Sequence, residues 1–200
     1  MTLVTLLPLV GFCLSSALSP GPNNLMLMAS GANFGLRRSV PHMAGVGLGF
    51  PAMVALVGLG VMGLFDRVPG SYEVLRILSA LYLLWLAWKI ATAQPTGAAQ
   101  PDARGRPLSF LQASAFQWVN PKAWSMALSA ITLFAASRDV LGVARVAGVY
   151  VSVSVLTTTS WVLLGIFAAR LLDTPRRLVW LNRAMALLLA ATLLQVLRLG

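Results

Sequence analysis

Charge is scarce in this 200-residue chain, and thiols and imidazoles are scarcer. Asp, Glu, Lys and Arg make up 10% of the residues, against about 25% in a soluble domain. Hydrophobic residues make up 58% and the mean hydropathy is +0.81. A soluble globular class is thereby excluded, and the composition reads as a polytopic membrane protein. With Cys13 as its one cysteine, the chain holds no internal disulfide and no paired-thiol redox relay. With His42 as its one histidine, a Cys/His metal site is nearly excluded as well. The acidic residues Asp66, Glu73, Asp102, Asp139 and Asp173 fall in loops or near the ends of apolar runs. No carboxylate cluster sits within the hydrophobic sequence, which argues against a membrane-embedded enzyme or redox carrier. No cofactor is expected.

Two further absences matter. No Lys or Arg precedes the first apolar run. Ala17-Leu18-Ser19 has the look of a small-residue cleavage site, but a signal peptide needs a basic n-region, so the first run is read as a retained span. The second absence is of any basic cluster. The net charge is +10, yet the Lys and Arg residues are scattered singly between apolar spans. They read as topology signals and lipid-headgroup contacts rather than as a nucleic-acid surface. Gly58 to Gly63 fits G-x-G-x-x-G, but no strand precedes it and no acid follows at the required place, so it is assigned to helix packing.

What is present is a series of apolar spans. The first runs from Thr2 to Phe34. As one helix it would reach roughly 50 Å, well beyond the ~30 Å hydrocarbon core. Ser19-Pro20-Gly21-Pro22-Asn23-Asn24 interrupts it, because proline lacks the N–H for the helical ladder and clashes with the preceding turn. Further spans are expected at about Pro41–Phe65, Tyr72–Ile90, Leu108–Ala136, Gly142–Ala169 and Leu178–Leu197, with Pro41 opening the second. Glu73 and Arg76 can pair at i, i+3, and Trp85, Trp88 and Lys89 mark an interface. Gly45 and Gly49 form a small-xxx-small pair that lets another helix come close. Residues 92–107, rich in Ala, Gly, Pro and Gln, form a flexible connector at the midpoint.

The fold class is therefore an all-α membrane protein of six transmembrane helices, arranged as two inverted three-helix repeats with broken first and fourth helices. The single domain covers 1–200, with repeat 1 over about 1–91, a cytoplasmic loop over about 92–107 and repeat 2 over about 108–200. The second repeat opens with its own break, Asn120-Pro121-Lys122. An odd number of spans per half inverts one half relative to the other, and paired breaks near the midplane are where such folds bind substrate. Arg37, Arg38, Lys89, Arg104, Arg106, Arg170, Arg176 and Arg177 fall on one side. The positive-inside rule makes that side cytoplasmic, which leaves both termini periplasmic.

A broken helix frees carbonyls on one side and opens an N-terminus on the other, where N–H groups and the dipole favour an anion. The substrate-binding candidates are Pro20, Gly21, Pro22, Asn23, Asn24, Asn120, Pro121, Lys122 and Thr158. Asn23 and Asn24 either orient a substrate carboxylate through their amides or, for Asn23, cap the new half-helix. An intramembrane charge is a functional hypothesis by default. Lys122 either holds the carboxylate or exchanges a proton, or else snorkels to an interface if its span begins later. Asn120 supports the carbonyls beside Pro121 or bonds the substrate. Thr157 to Ser160 line the pathway or join helices, and Trp118 and Trp124 form an apolar wall or simply pack. His42, beside Arg37 and Arg38, is expected to face headgroups; with Lys122 and Glu73 it completes the set of titratable groups available for proton coupling.

Pro20-Gly21-Pro22-Asn23 in the first span and Asn120-Pro121-Lys122 at the opening of the second half resemble the two hallmarks of the LysE/RhtB family of amino-acid exporters. The resemblance extends over essentially the whole chain. Residues 84–92 and 37–50 look most like its cysteine/O-acetylserine branch. The resemblance implies efflux of a neutral amino acid across a bacterial inner membrane, coupled to proton entry, with a small-molecule substrate and membrane lipid as partners. Small exporters often form homodimers, and the Gly45/Gly49 stripe is available for that or for packing within the chain. An exporter of another metabolite or ion is the competing reading, and a passive channel is a third.

Overall fold

The computed structural model describes residues 3–60, 67, 70–93, 106–135, 139–172 and 174–192. Among them the chain is all-helical, with α1 (Leu3–Leu18), α2 (Pro22–Gly58), α3 (Ser71–Ala91), α4 (Phe110–Val119), α5 (Pro121–Phe134), α6 (Val140–Leu171) and α7 (Pro175–Ala191). Three of these are long and apolar enough to cross a membrane: α2, α3 from Glu73, and α6. Apolar residues across the bundle also point outward, among them Trp88, Leu111, Val140 and Leu187, as a helix bundle in lipid requires.

Both expected breaks are present. The first separates α1 from α2 at residues 19–21, and the second separates α4 from α5 at Asn120. Between the breaks, one expectation is corrected. Pro41 does not open a separate helix, because α2 continues from Pro22 to Gly58 with a single non-helical residue, Gly35, at φ 72° and ψ 177°. Glycine adopts that positive φ without a Cβ clash, so one residue turns the chain and no polar loop is needed. Pro41 and Pro51 both lie inside the helix.

Two apolar clusters flank the middle of the bundle. One joins Leu25, Leu27, Leu83, Leu86, Phe116 and Met185, from α2, α3, α4 and α7. The other joins Leu9, Cys13, Phe50, Met53, Ala127 and Tyr150, from α1, α2, α5 and α6. Cys13 is fully buried there as a free thiol, and Phe50 meets Tyr150 edge-on at 4.8 Å.

Glycines set the closest crossings. A Cβ on Gly31 would collide with the Val162 carbonyl, and one on Gly165 with the Met28 carbonyl. The α2–α6 crossing is thus a mutual contact of backbones. Gly45 and Gly49 bring α4 against α2 in the same way. A Cβ on Gly45 would lie 2.7 Å from Ala113 Cβ, and one on Gly49 2.7 Å from Ser114 Cα. The small-residue stripe is therefore occupied within the chain. Gly58 packs on Val143 and Ile131, in keeping with its assignment to helix packing; Gly63 lies outside the described residues, as do the Arg76 side chain and most of the central connector.

Candidate functional site

At the first break, α1 ends with carbonyls that have no helical partner and α2 begins at Gly21, whose extended backbone serves as N-cap. No side chain caps that N-terminus, and proline at N1 brings no N–H of its own. The expectation that Asn23 caps the half-helix is corrected. Asn23 lies one residue beyond Pro22, and its amide pairs reciprocally with Gln117 of α4, Nδ2 donating to Oε1 at 2.8 Å and Nε2 donating back to Oδ1 at 3.3 Å. Asn24 turns back instead. Its Nδ2 donates to the Ala17 and Ser19 carbonyls, both at 2.8 Å, so both amide hydrogens serve the frayed end of α1.

The second break is one residue wide. Asn120 is 2% exposed, and its Oδ1 accepts from the Lys122 N–H at 3.2 Å, capping α5. The indole of Trp124 donates to the Trp118 carbonyl at 2.9 Å and meets the Trp118 ring at 5.8 Å. These two tryptophans staple the break.

The breaks face each other. Lys122 reaches from the second to the first, where Nζ donates to the Ser19 carbonyl at 2.5 Å, Ser19 Oγ at 2.7 Å and the Pro20 carbonyl at 3.3 Å. The lysine is thus directed at the first break.

A cavity of about 40 Å³ lies beside this bridge. Gly21, Asn23, Asn24, Asn120, Lys122 and Thr158 of the expected set line it, as do Phe50, Met126, Ser154 and Thr157. Pro20, Pro22 and Pro121 shape the breaks without lining the cavity. Val46 from one apolar cluster and Phe50 from the other both reach it. Of the Thr157 to Ser160 run, Thr157 and Thr158 are buried, whereas Ser160 is exposed and bonds the Leu156 carbonyl. Gln117 is the residue that sequence reasoning passed over: an amide inside an apolar span was the available signal, but its partner lies 94 positions away.

His42 is also corrected. It is 1% exposed, with Nδ1 2.7 Å from Ser30 Oγ and Nε2 without a hydrogen-bond partner among the described residues. Once α2 restarts after Gly35, the spacing of Ser39, His42 and Val46 turns all three inward, while Arg37, Arg38 and Pro41 stay exposed. Nearby, Asn33 and Asn182 form a buried reciprocal amide pair between α2 and α7, at 2.8 and 2.9 Å.

The LysE type translocator profile matches residues 14–197. The chain is 32% identical to a cysteine/O-acetylserine efflux protein of Shigella flexneri over 94% of its own length and 95% of the relative's. It is 33% identical to the Escherichia coli protein of that name over 89% and 90%. A Salmonella typhimurium protein of the same name is 35% identical, and the match spans 62% of each chain. No solved structure matches significantly. A membrane bundle with helices broken at Pro20–Pro22 and Asn120–Pro121, matched over nearly its whole length, identifies the chain as a member of the LysE type translocator family.

Proposed function

We propose that this chain is a secondary transporter exporting neutral amino acids or their derivatives, of the cysteine/O-acetylserine kind, across a bacterial inner membrane by proton antiport. One observation carries the reading: an ammonium from one broken helix is seated on the carbonyls of the other. Around that bridge lie an uncapped helix N-terminus suited to a carboxylate and the amides of Asn23 and Asn24. Such a set complements a zwitterion. The efflux proteins similar to this chain supply the substrate class.

The packing supports an inverted repeat of six spans. α1 packs on α6 and α4 on α2, the exchange of partners that a two-fold relation between halves produces, while α2 meets α6 and α3 meets α7 across the axis. Arg38 over Phe34, Lys89 over Trp85 and Arg183 over Trp180 fit a cytoplasmic interface with periplasmic termini. The exposed apolar surface makes lipid the main neighbour.

His42 is assigned the coupling proton. It is buried, its Nε2 has no hydrogen-bond partner among the described residues, and its Nδ1 lies 2.7 Å from Ser30 Oγ. The direct test loads cells lacking their own exporters with cysteine, O-acetylserine, threonine or leucine and measures each in the medium. Selective efflux that collapses with the proton gradient is expected. His42→Ala should retain substrate exchange and lose its response to the gradient. Release of none of the four would overturn the substrate assignment.

A further inference from the structure

The three oxygens around Lys122 Nζ form a complete ammonium cradle. Two are carbonyls exposed by the first break, from Ser19 and Pro20, and the third is the Ser19 hydroxyl. An ammonium has three hydrogens, and here all three are used. The occupant is a tethered one, a four-carbon stem reaching over from the other half of the molecule. That stem lies across Gly21, where a Cβ would come within 2.7 Å of Lys122 Cδ and 3.1 Å of Nζ. Ser19 and Pro20 are exposed whereas Gly21 and Asn24 are buried, so the cradle is reachable from outside the bundle and borders the cavity within. The cavity of about 40 Å³ holds on the order of three waters and no amino acid. Withdrawing the lysine stem is the change that would enlarge it.

We infer that the cradle of Ser19 O, Pro20 O and Ser19 Oγ is the binding site for the primary ammonium of the transported molecule, with Lys122 as its placeholder in the empty carrier. The inference rests on the export reading for the identity of the cargo. An arriving ammonium displaces Nζ from the three oxygens, and the released Nζ pairs with the carboxylate on the same cargo. Empty, the carrier has its lysine on the carbonyls. Loaded, it has the cargo ammonium on the carbonyls and the lysine on the carboxylate. Neither state leaves a cation or an acceptor unpaired, which a low-dielectric site demands. The ligand class follows: a primary ammonium with a neighbouring carboxylate, whereas an N-acylated molecule offers no cation to the cradle.

The test needs no cargo and so stands apart from the identity of the exported molecule. Purified full-length wild type, Lys122→Ala and Lys122→Met are titrated with methylammonium chloride and, at equal ionic strength, with tetramethylammonium chloride, which carries the same charge and no N–H. The thermal unfolding midpoint is read in detergent. Methylammonium is expected to raise the midpoint of both variants saturably, by about 2–4 °C, leaving the wild type unmoved, and tetramethylammonium is expected to do nothing. An equal response in wild type and variants, or no preference for methylammonium, overturns the inference. Failure of both variants to fold overturns it as well, because Lys122 would then be a structural clamp and not a displaceable occupant.

Discussion

The two helix breaks start from similar chemistry, proline beside asparagine, and end in opposite states. Asn120 closes its own break: its side chain caps α5, its N–H reaches the Gln117 carbonyl at 3.3 Å, and Trp124 takes the Trp118 carbonyl. The break at Ser19 to Gly21 closes less by itself, with the Ser19 hydroxyl donating to the Ser16 carbonyl at 2.8 Å. Its carbonyls depend on Asn24 and on a lysine from the other half, and its N-terminus has no side-chain cap. A one-residue interruption with a capping asparagine is a rigid joint. A three-residue interruption with two prolines and a glycine is a set of polar groups held ready for partners. On the proposed reading the first break is the binding element, and the second is the element that presents a side chain to it.

Substitutions can break that contrast at several levels. The largest effect is expected at the closest helix crossing, α2 against α6. Gly31→Val drives a side chain into the Val162 backbone, and loss of nearly all monodisperse protein on size-exclusion chromatography should follow; normal yield would mean the crossing is looser than described. Asn24→Leu should come next. It strips the Ala17 carbonyl of its side-chain donor and leaves the Ser19 carbonyl to Lys122 alone, at about 1–3 kcal/mol for the group left unpaired, and export measured at equal expression should fall at least tenfold. Asn23→Ala should leave the fold intact, since Gln117 keeps its bond to the Ala113 carbonyl at 2.7 Å. A double-mutant cycle of Asn23→Ala with Gln117→Ala should give a coupling of about 0.5–3 kcal/mol; strict additivity would refute the amide pair. The smallest effect is expected at the self-contained break: Asn120→Ala should cost about 1 kcal/mol, seen as a small drop in unfolding midpoint and reversed by Asn120→Asp. A larger loss of export there than at Asn24 would invert the comparison.

The helical class and the position of both breaks were legible in the sequence because proline's missing N–H acts locally. Lys122 stood out in the sequence because a charge inside an apolar run needs a reason, and the structure seats it on the first break. What could not be read depended on residues distant in sequence. Asn23 looked like a cap until Gln117 was found opposite it. His42 looked like a headgroup contact because Arg37 and Arg38 precede it, while the helical phase that buries it is set by the restart after Gly35. Gly35 follows directly on the first apolar run, but that a single positive φ would replace a loop there was not legible.

Cys13 has a consequence of a different kind. Thiol–disulfide exchange needs a thiolate that an oxidant can reach, and this sulfur is sealed among Leu9, Phe50 and Tyr150 with none of its surface accessible. A protein so built resists glutathionylation and mixed-disulfide formation in an oxidising compartment, even in a flood of small thiols. The same seclusion makes the natural sequence a ready background for site-directed labelling. A cysteine introduced at exposed Ser125 or Ser160 would then be the sole thiol on the surface of the described residues.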